Sequence, residues 1–266
     1  MTGTALVPVV VADGLPDAAY AEIRDAVRVL EHASLALKRA GMVGSSVEAL
    51  KRSLPAPAQR LLDDAVKRAL EGAMRAAMRL EPAKSGPLPS QWLHRGLLAA
   101  TGVAGGVAGL GGTLIELPVS TALLLRQVAA VAAEQGEDLS DPAVQAECLK
   151  VFALGGNDPA DDGAESGYFT MRIALAETLK GAVGRSIGQL LPGFLGAVAS
   201  RFGGPVAVKL SAQAAPLLGA AAGAAVNLAF LEHFRGVAQA HFTVRRLERQ
   251  HGVEAVREAY EAARRG

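Results

Sequence analysis

Glu116 is the first charged side chain after Arg95, at the end of an uncharged run of glycine, alanine and leucine. A lone carboxylate in that position has two readings. Thr113 and Glu116 have capping-box spacing, and Pro118 suits the first turn of a helix, so Glu116 reads as an N-terminal carboxylate facing the positive end of a helix dipole. The alternative is a buried acid serving hydrolytic chemistry, with Arg126, Tyr168 or His233 brought to it by folding. On one straight helix Glu116 and Arg126 would stand about 15 Å apart along the axis, so they cannot pair directly. The cap reading leads.

Other spacings carry less. Gly106 to Gly111 with Thr113 imitates part of a phosphate-binding loop, but Gly112 stands where the lysine belongs. Gly109 and Gly111 begin a dinucleotide fingerprint that Leu114 breaks, and no strand pattern precedes them. Gly184-Arg185-Ser186-Ile187-Gly188 matches a nucleophile elbow in letters only, because the preceding segment, Leu175 to Val183, reads as helix. The histidines, 32, 94, 233, 241 and 251, form no i, i+4 pair. On one helix His233 and His241 would lie about 12 Å apart, too far to share a metal. Asp158, Asp161 and Asp162 read as a solvated turn. No catalytic set, metal site or cofactor is expected.

Asn227 interrupts an apolar helix surface, where a buried amide must bond a neighbour; its functional alternative is a polar contact to a ligand between helices. Arg60, Lys67, Arg68, Arg75 and Arg79 form one basic stripe, and Arg245, Arg246 and Arg249 another. Such stripes are usually solvated faces, but together they could face anionic lipid headgroups. The formal net charge of +1 gives no global field for nucleic acid. Cys148 is the only cysteine, which excludes an internal disulfide and fits a reducing interior.

The elements that must hold these residues read as helices. The chain is 266 residues long, half apolar, poor in aromatics and rich in alanine, which favours close-packed helices over sheet. One helix opens at Pro16 and Asp17, with a stripe of Ile23, Val27, Leu30 and Leu37, and is stopped by Gly41. A second runs from about Pro57 to Leu80, with Leu62, Val66, Leu70 and Met74 on one arc. After the acidic loop helices resume near Ser166. The uncharged runs before Glu116 and before Glu232 approach the roughly 20 residues that cross a bilayer, but alanine and glycine insert weakly. Gly102 with Gly106, and Gly105 with Gly109, repeat the small-xxx-small spacing that lets helix backbones approach.

Several blocks, in order, resemble the EcsC family of bacterial proteins. The first is the glycine-rich run into Glu116-Leu117-Pro118, with Thr121 and Arg126, continuing through Gly136-Glu137-Asp138-Leu139 and Glu147-Cys148-Leu149 to Gly155-Gly156. The second is Ser166-Gly167-Tyr168-Phe169 with Arg172. The third runs from Pro216-Leu217-Leu218-Gly219 through Gly223, Asn227, Phe230 and His233 to Phe242, Arg245 and Leu247. The likeness covers roughly Gln91 to Gly252. Ser120 stands where the family tends to have threonine, and Leu124 where methionine is common. The family takes its name from a protein encoded beside an ABC transporter, and the resemblance implies a helical architecture without an assigned activity. Its recurring positions fall on Glu116, Pro118, Arg126, Tyr168, Arg172, Gly219, Gly223 and Asn227.

The expectation is therefore an all-α multi-helix bundle with two Gly/Ala-rich, hairpin-like apolar segments near 97–125 and 205–231. Residues 1–90 form an N-terminal helical region, 91–252 the family-like core and 253–266 a C-terminal helix. Candidate functional residues are Glu116, Arg126, Tyr168, Arg172, Asn227 and His233. Gly102, Gly105, Gly106, Gly109, Gly219 and Gly223 are expected to serve helix packing. The expected function is non-enzymatic and membrane- or transport-associated. The expected partner is a lipid surface or a membrane transporter component rather than nucleic acid. The expected place is the cytoplasm, at or partly within the inner face of the membrane. The alternatives are a hydrolase using Glu116 and a soluble binder of hydrophobic ligands.

Overall fold

A computed structural model describes residues 15–31, 57, 60, 64, 68, 72, 95–97, 99–101, 109–155, 167–180 and 219–266; for 109–118, 178–180, 219–223, 225 and 226 it describes the backbone alone. Among the described residues the chain is helical, with no strand, as the composition requires. Six helices with defined bounds are α1 (Asp17–Leu30), α2 (Gly109–Glu134), α3 (Pro142–Leu154), α4 (Tyr168–Lys180), α5 (Gly219–His251) and α6 (Val253–Arg265).

The expected stripe of α1 is present: Ile23, Val27 and Leu30 are buried together with Ala19 and Ala26. The helix ends at Leu30, earlier than the glycine stop predicted for it, and the Glu31 amide closes the last turn on the Val27 carbonyl. Leu37, Gly41 and the arc from Leu62 to Met74 lie outside the described residues. Residues 57, 60, 64, 68 and 72 are helical, with Arg60 and Arg68 exposed.

α2 overturns the cap reading of Glu116. The helix begins at or before Gly109 and runs unbroken to Glu134, so Thr113, Glu116 and Pro118 all lie inside it. There is no helix start at Thr113 to cap. Pro118 lacks an N–H and leaves the Leu114 carbonyl without its usual partner, a cost that surrounding packing must carry. The same helix excludes a phosphate loop over Gly109 to Gly112, since these glycines are helical.

A tight turn joins α2 to α3. Gly136 adopts φ +79°, open to glycine at no steric cost. Asp138 Oδ1 accepts from the Ser140 amide at 2.9 Å and from its hydroxyl at 2.6 Å. Asp141 then caps α3 by accepting from the Ala143 amide at 2.8 Å, with Pro142 at the first helical position. α3 stops at Gly155, where an added methyl would lie 2.7 Å from the Phe234 ring.

α5 is the axis of the bundle and packs against α1, α2, α3 and α6. Gln135 and Glu137, just past the end of α2, bond Arg245, Arg246 and Arg249 near the end of α5. The two long helices therefore run in the same direction with their C-terminal ends together. α1 runs the opposite way along α5: Glu22 meets Arg246, while Val29 lies beside Gly236. Residues 95–101 also run opposite to α5, since Arg95 pairs with Glu232 and Thr101 bonds Asn227. Segment 95–101 and α2 are thus antiparallel, the arrangement expected of the first apolar hairpin. The second, 205–231, is described only from Gly219 onward.

The core is filled by Leu125, Val128 and Ala132 of α2, Val151 and Phe152 of α3, and Phe234, Val237, Phe242 and Leu247 of α5. Ile23 of α1 and Val256 and Tyr260 of α6 close it from the side.

Candidate functional site

The densest arrangement of reactive groups lies where α3, α4 and α5 meet. α5 presents His241, Arg245 and Glu248 at i, i+4 and i+7, so one face carries all three. α3 presents Glu147 and Lys150 at i, i+3, and α4 presents Tyr168 and Arg172 at i, i+4.

His241 is wholly buried and uses both ring nitrogens. Its Nε2 lies 3.1 Å from Glu147 Oε2, and its Nδ1 lies 2.8 Å from the Tyr168 hydroxyl. Glu147 Oε1 accepts from Lys150 Nζ at 2.8 Å, and an Arg245 Nη stands 3.4 Å away. Burial opposes the charge on Glu147. The His241 hydrogen bond and the Lys150 and Arg245 charges outweigh it and hold the carboxyl well below the usual carboxylate range. An ionised carboxylate only accepts, which fixes the proton of His241 on Nε2 and leaves Nδ1 to accept from the Tyr168 O–H. Burial lowers the His241 pKa despite the Glu147 contact, so the ring is neutral at neutral pH. Burial likewise raises the Tyr168 pKa, and pushes the adjacent Cys148 thiol up to about 12.

Ion pairs surround this chain. Arg172 donates twice to Glu248, at 2.7 and 3.1 Å, and its guanidinium lies 5.3 Å from the Tyr168 ring centroid and 5.5 Å from that of Phe169. Arg245 donates to both oxygens of Glu137, at 2.8 and 3.3 Å. Arg249 reaches the same carboxylate and the Gln135 carbonyl, while Arg246 spans Gln135 and Glu22. The stripe Arg245, Arg246 and Arg249 is therefore a set of interhelical ties rather than a free basic face. Tyr168 also stacks on Tyr260 of α6, with ring centroids 5.3 Å apart. Glu31, just past α1, accepts from the Tyr168 amide at 3.2 Å and from the Tyr260 hydroxyl at 2.9 Å.

The candidate residues are thus distributed as follows. Tyr168 and Arg172 belong to this cluster. His233 lies two turns earlier on α5, about 12 Å along the axis from His241, and bonds the Gly155 carbonyl at 2.7 Å. Asn227 is buried and donates to Thr101 Oγ1 at 3.2 Å, which ties segment 95–101 to α5. Arg126 is partly buried on α2, and its Nε has no hydrogen-bond partner. Glu116 is an interior residue of α2 whose side chain lies outside the described part. Gly109 is the first described residue of α2, and Gly219 and Gly223 lie in the first described turns of α5, while Gly102, Gly105, Gly106 and Ser186 lie outside the described residues. No hydrogen bond joins Arg126, Tyr168 and His233 to one another. Among the described residues no His, Cys, Asp and Glu group could hold a metal ion.

Sequence reasoning missed Glu147 and His241 as partners. The signal was the phase of α5: His241, Arg245 and Glu248 share one face of a helix whose neighbouring positions are apolar. A buried face with three ionisable groups requires partners of matching charge.

Among the described residues, no helix is long and apolar enough to cross a membrane. The model of the EcsC protein family matches residues 17–247, beginning at α1 and therefore well before the Gln91 limit read from the motifs. No curated protein and no solved structure matches this chain.

Proposed function

The chain belongs to the EcsC family, and we propose that it is a non-enzymatic helical protein that attaches to a membrane surface from one end of its bundle. The observation that carries this reading is the polarity of the two long parallel helices. From Gly109 to Leu125, α2 carries Glu116 as its only charge, and α5 carries none from Gly219 to Leu231. The carboxylate–arginine ties gather at their common C-terminal end. The apolar halves therefore lie together at the other end of the bundle.

Among the described residues, two of the exposed apolar side chains lie along these apolar halves, near their inner limit. Leu97 is 48% exposed and Val119 is 50% exposed. Val119 lies about 24 Å before Gln135, and the same distance back along α5 from Arg246 reaches the level of Phe230. Leu97 lies between Arg95, paired with Glu232, and Thr101, bonded to Asn227, so it sits at a similar level.

The Tyr168–His241–Glu147 chain supports the non-enzymatic half of the proposal. A catalytic base must reach a substrate proton. Here each ring nitrogen of His241 is already bonded, and Tyr168 is covered by Tyr260.

Cell fractionation tests the attachment. The protein is expected to sediment with membranes, to stay there in molar salt because the described arginines of the α5 patch are paired internally, and to leave in alkaline carbonate because no described helix spans the bilayer. Release by salt alone would point to charge-based attachment to a lipid or a membrane transport partner. Recovery entirely in the supernatant would contradict the proposal.

A further inference from the structure

Tyr168, His241 and Glu147 come from three different helices, and the hydrogen-bond polarity between them is fixed by one proton. Ionised Glu147 holds that proton on Nε2, so Tyr168 can donate to Nδ1. If Nδ1 takes a second proton, it becomes a donor and the Tyr168 hydroxyl hydrogen loses its acceptor. We propose that His241 is an acid-sensitive latch: its protonation breaks the donor–acceptor match with Tyr168 and releases α4 from α5.

The charges around His241 favour that response. On α3, Glu147 is already matched by Lys150, and Cys148 is an inert thiol. On α4, Arg172 is cationic and held by Glu248 of α5. On α5 itself Arg245 is cationic and is shared between Glu147 and Glu137 of the α2–α3 turn. From α6, Tyr260 is neutral, and Glu31 is already used by Tyr260 and by the Tyr168 amide. Among the described residues no carboxylate bonds the Tyr168 hydroxyl to receive its hydrogen. A proton on His241 therefore adds charge to a buried cluster that is already matched.

The sign follows. Burial holds the folded-state pKa of His241 below its ordinary value. Above the ordinary histidine range, near 6.5, closed and open states bind equal protons. Below it the open state takes up a proton that the closed state refuses, so opening grows as pH falls. A single such proton raises the opening equilibrium by at most about tenfold between pH 7.5 and pH 5.5.

Hydrogen exchange on the full chain, corrected for intrinsic amide rates, tests this. The amides of α4 from Met171 onward are expected to open several-fold more, up to about tenfold, at pH 5.5 than at pH 7.5. Those of α5 from Val237 to Val244 should change by less than twofold. His241→Gln carries a donor for Glu147 and an acceptor for Tyr168 but cannot titrate, so its α4 opening should be flat across the same range. His233→Gln should keep the rise. The proposal is overturned if wild-type α4 shows no rise, if α5 opens equally, or if His241→Gln keeps the rise. Should that variant fail to fold, the wild-type pH profile decides: α4 opening must be flat above about pH 7.5 and rise below the ordinary histidine range with no more than one proton's slope. A rise that begins only in the carboxylate range, at about pH 4, overturns the proposal.

Discussion

Glu147→Leu is expected to destabilise the protein by about 3–5 kcal/mol, the usual cost of removing one partner of a buried charge pair. The side chain of Glu147 is 12% exposed, and that of Lys150 only 5% exposed. Removing the carboxylate strands Lys150 in the core and leaves the His241 Nε2–H without an acceptor. Arg245 retains Glu137, so the loss concentrates on Lys150 and His241. A double variant, Glu147→Leu with Lys150→Met, should recover much of the loss, because a buried ion pair exchanged for apolar side chains of similar volume is often neutral. Urea unfolding followed by helical circular dichroism measures both. A loss below about 1 kcal/mol for the single variant would mean that Glu147 is solvated rather than buried. The wild type should also lose stability as pH falls through the carboxylate range. The Glu147 pKa is depressed on folding, so its contribution is present above the unfolded value and disappears below it.

Tyr260→Ala is expected to cost a similar amount, about 3–5 kcal/mol, but for a different reason. Tyr260 is completely buried, stacks on Tyr168 and meets Phe169 edge-on at 5.1 Å. Removing the ring leaves a cavity among α1, α4 and α6. Tyr260→Phe removes only the hydrogen bond to Glu31, whose Oε1 still accepts from the Tyr168 amide, and should cost about 1 kcal/mol. The gap between the two variants, read from the same urea curves, separates packing from hydrogen bonding. Equal losses would show that the Glu31 contact, rather than the aromatic cluster, holds α6 in place.

The helical character of the chain was legible because it rests on composition and period. Ile23, Val27 and Leu30 recur at helical spacing, and all three are buried. The structural part of Asn227 was legible as well, since an amide on an apolar face must find a partner, here Thr101. Glu116 was misread for a definite physical reason. Proline and a Thr-x-x-Glu spacing both favour a helix start, yet α2 carries them in its interior, so local preference yields there to the longer helix. The stripe of Arg245, Arg246 and Arg249 was misread because its partners lie far away in sequence. Glu137 and Gln135 precede it by more than 100 residues, and Glu22 by more than 200. A single helix pattern gives the face but not what covers it. The same limit hid the pairing of Tyr168 with His241, although each residue was in view.

The hydrolase alternative set Glu116 beside Arg126, Tyr168 or His233, and the Glu116 side chain lies outside the described part. Tyr168 is committed to His241, and His233 to the Gly155 carbonyl about 12 Å along α5. Both side chains are thus bonded within the bundle. The proposed membrane attachment is argued from the apolar halves of α2 and α5 rather than from the arginines of α5.

Flotation of the purified protein with lipid vesicles tests that attachment most directly. Wild-type protein should rise with vesicles of mixed zwitterionic and anionic lipid, and should still do so in molar salt. The double variant Leu97→Asp with Val119→Asp, with its helical circular dichroism unchanged, should remain at the bottom of the gradient. Wild-type protein that stays at the bottom, or a double variant that floats as well as wild type, would contradict the account.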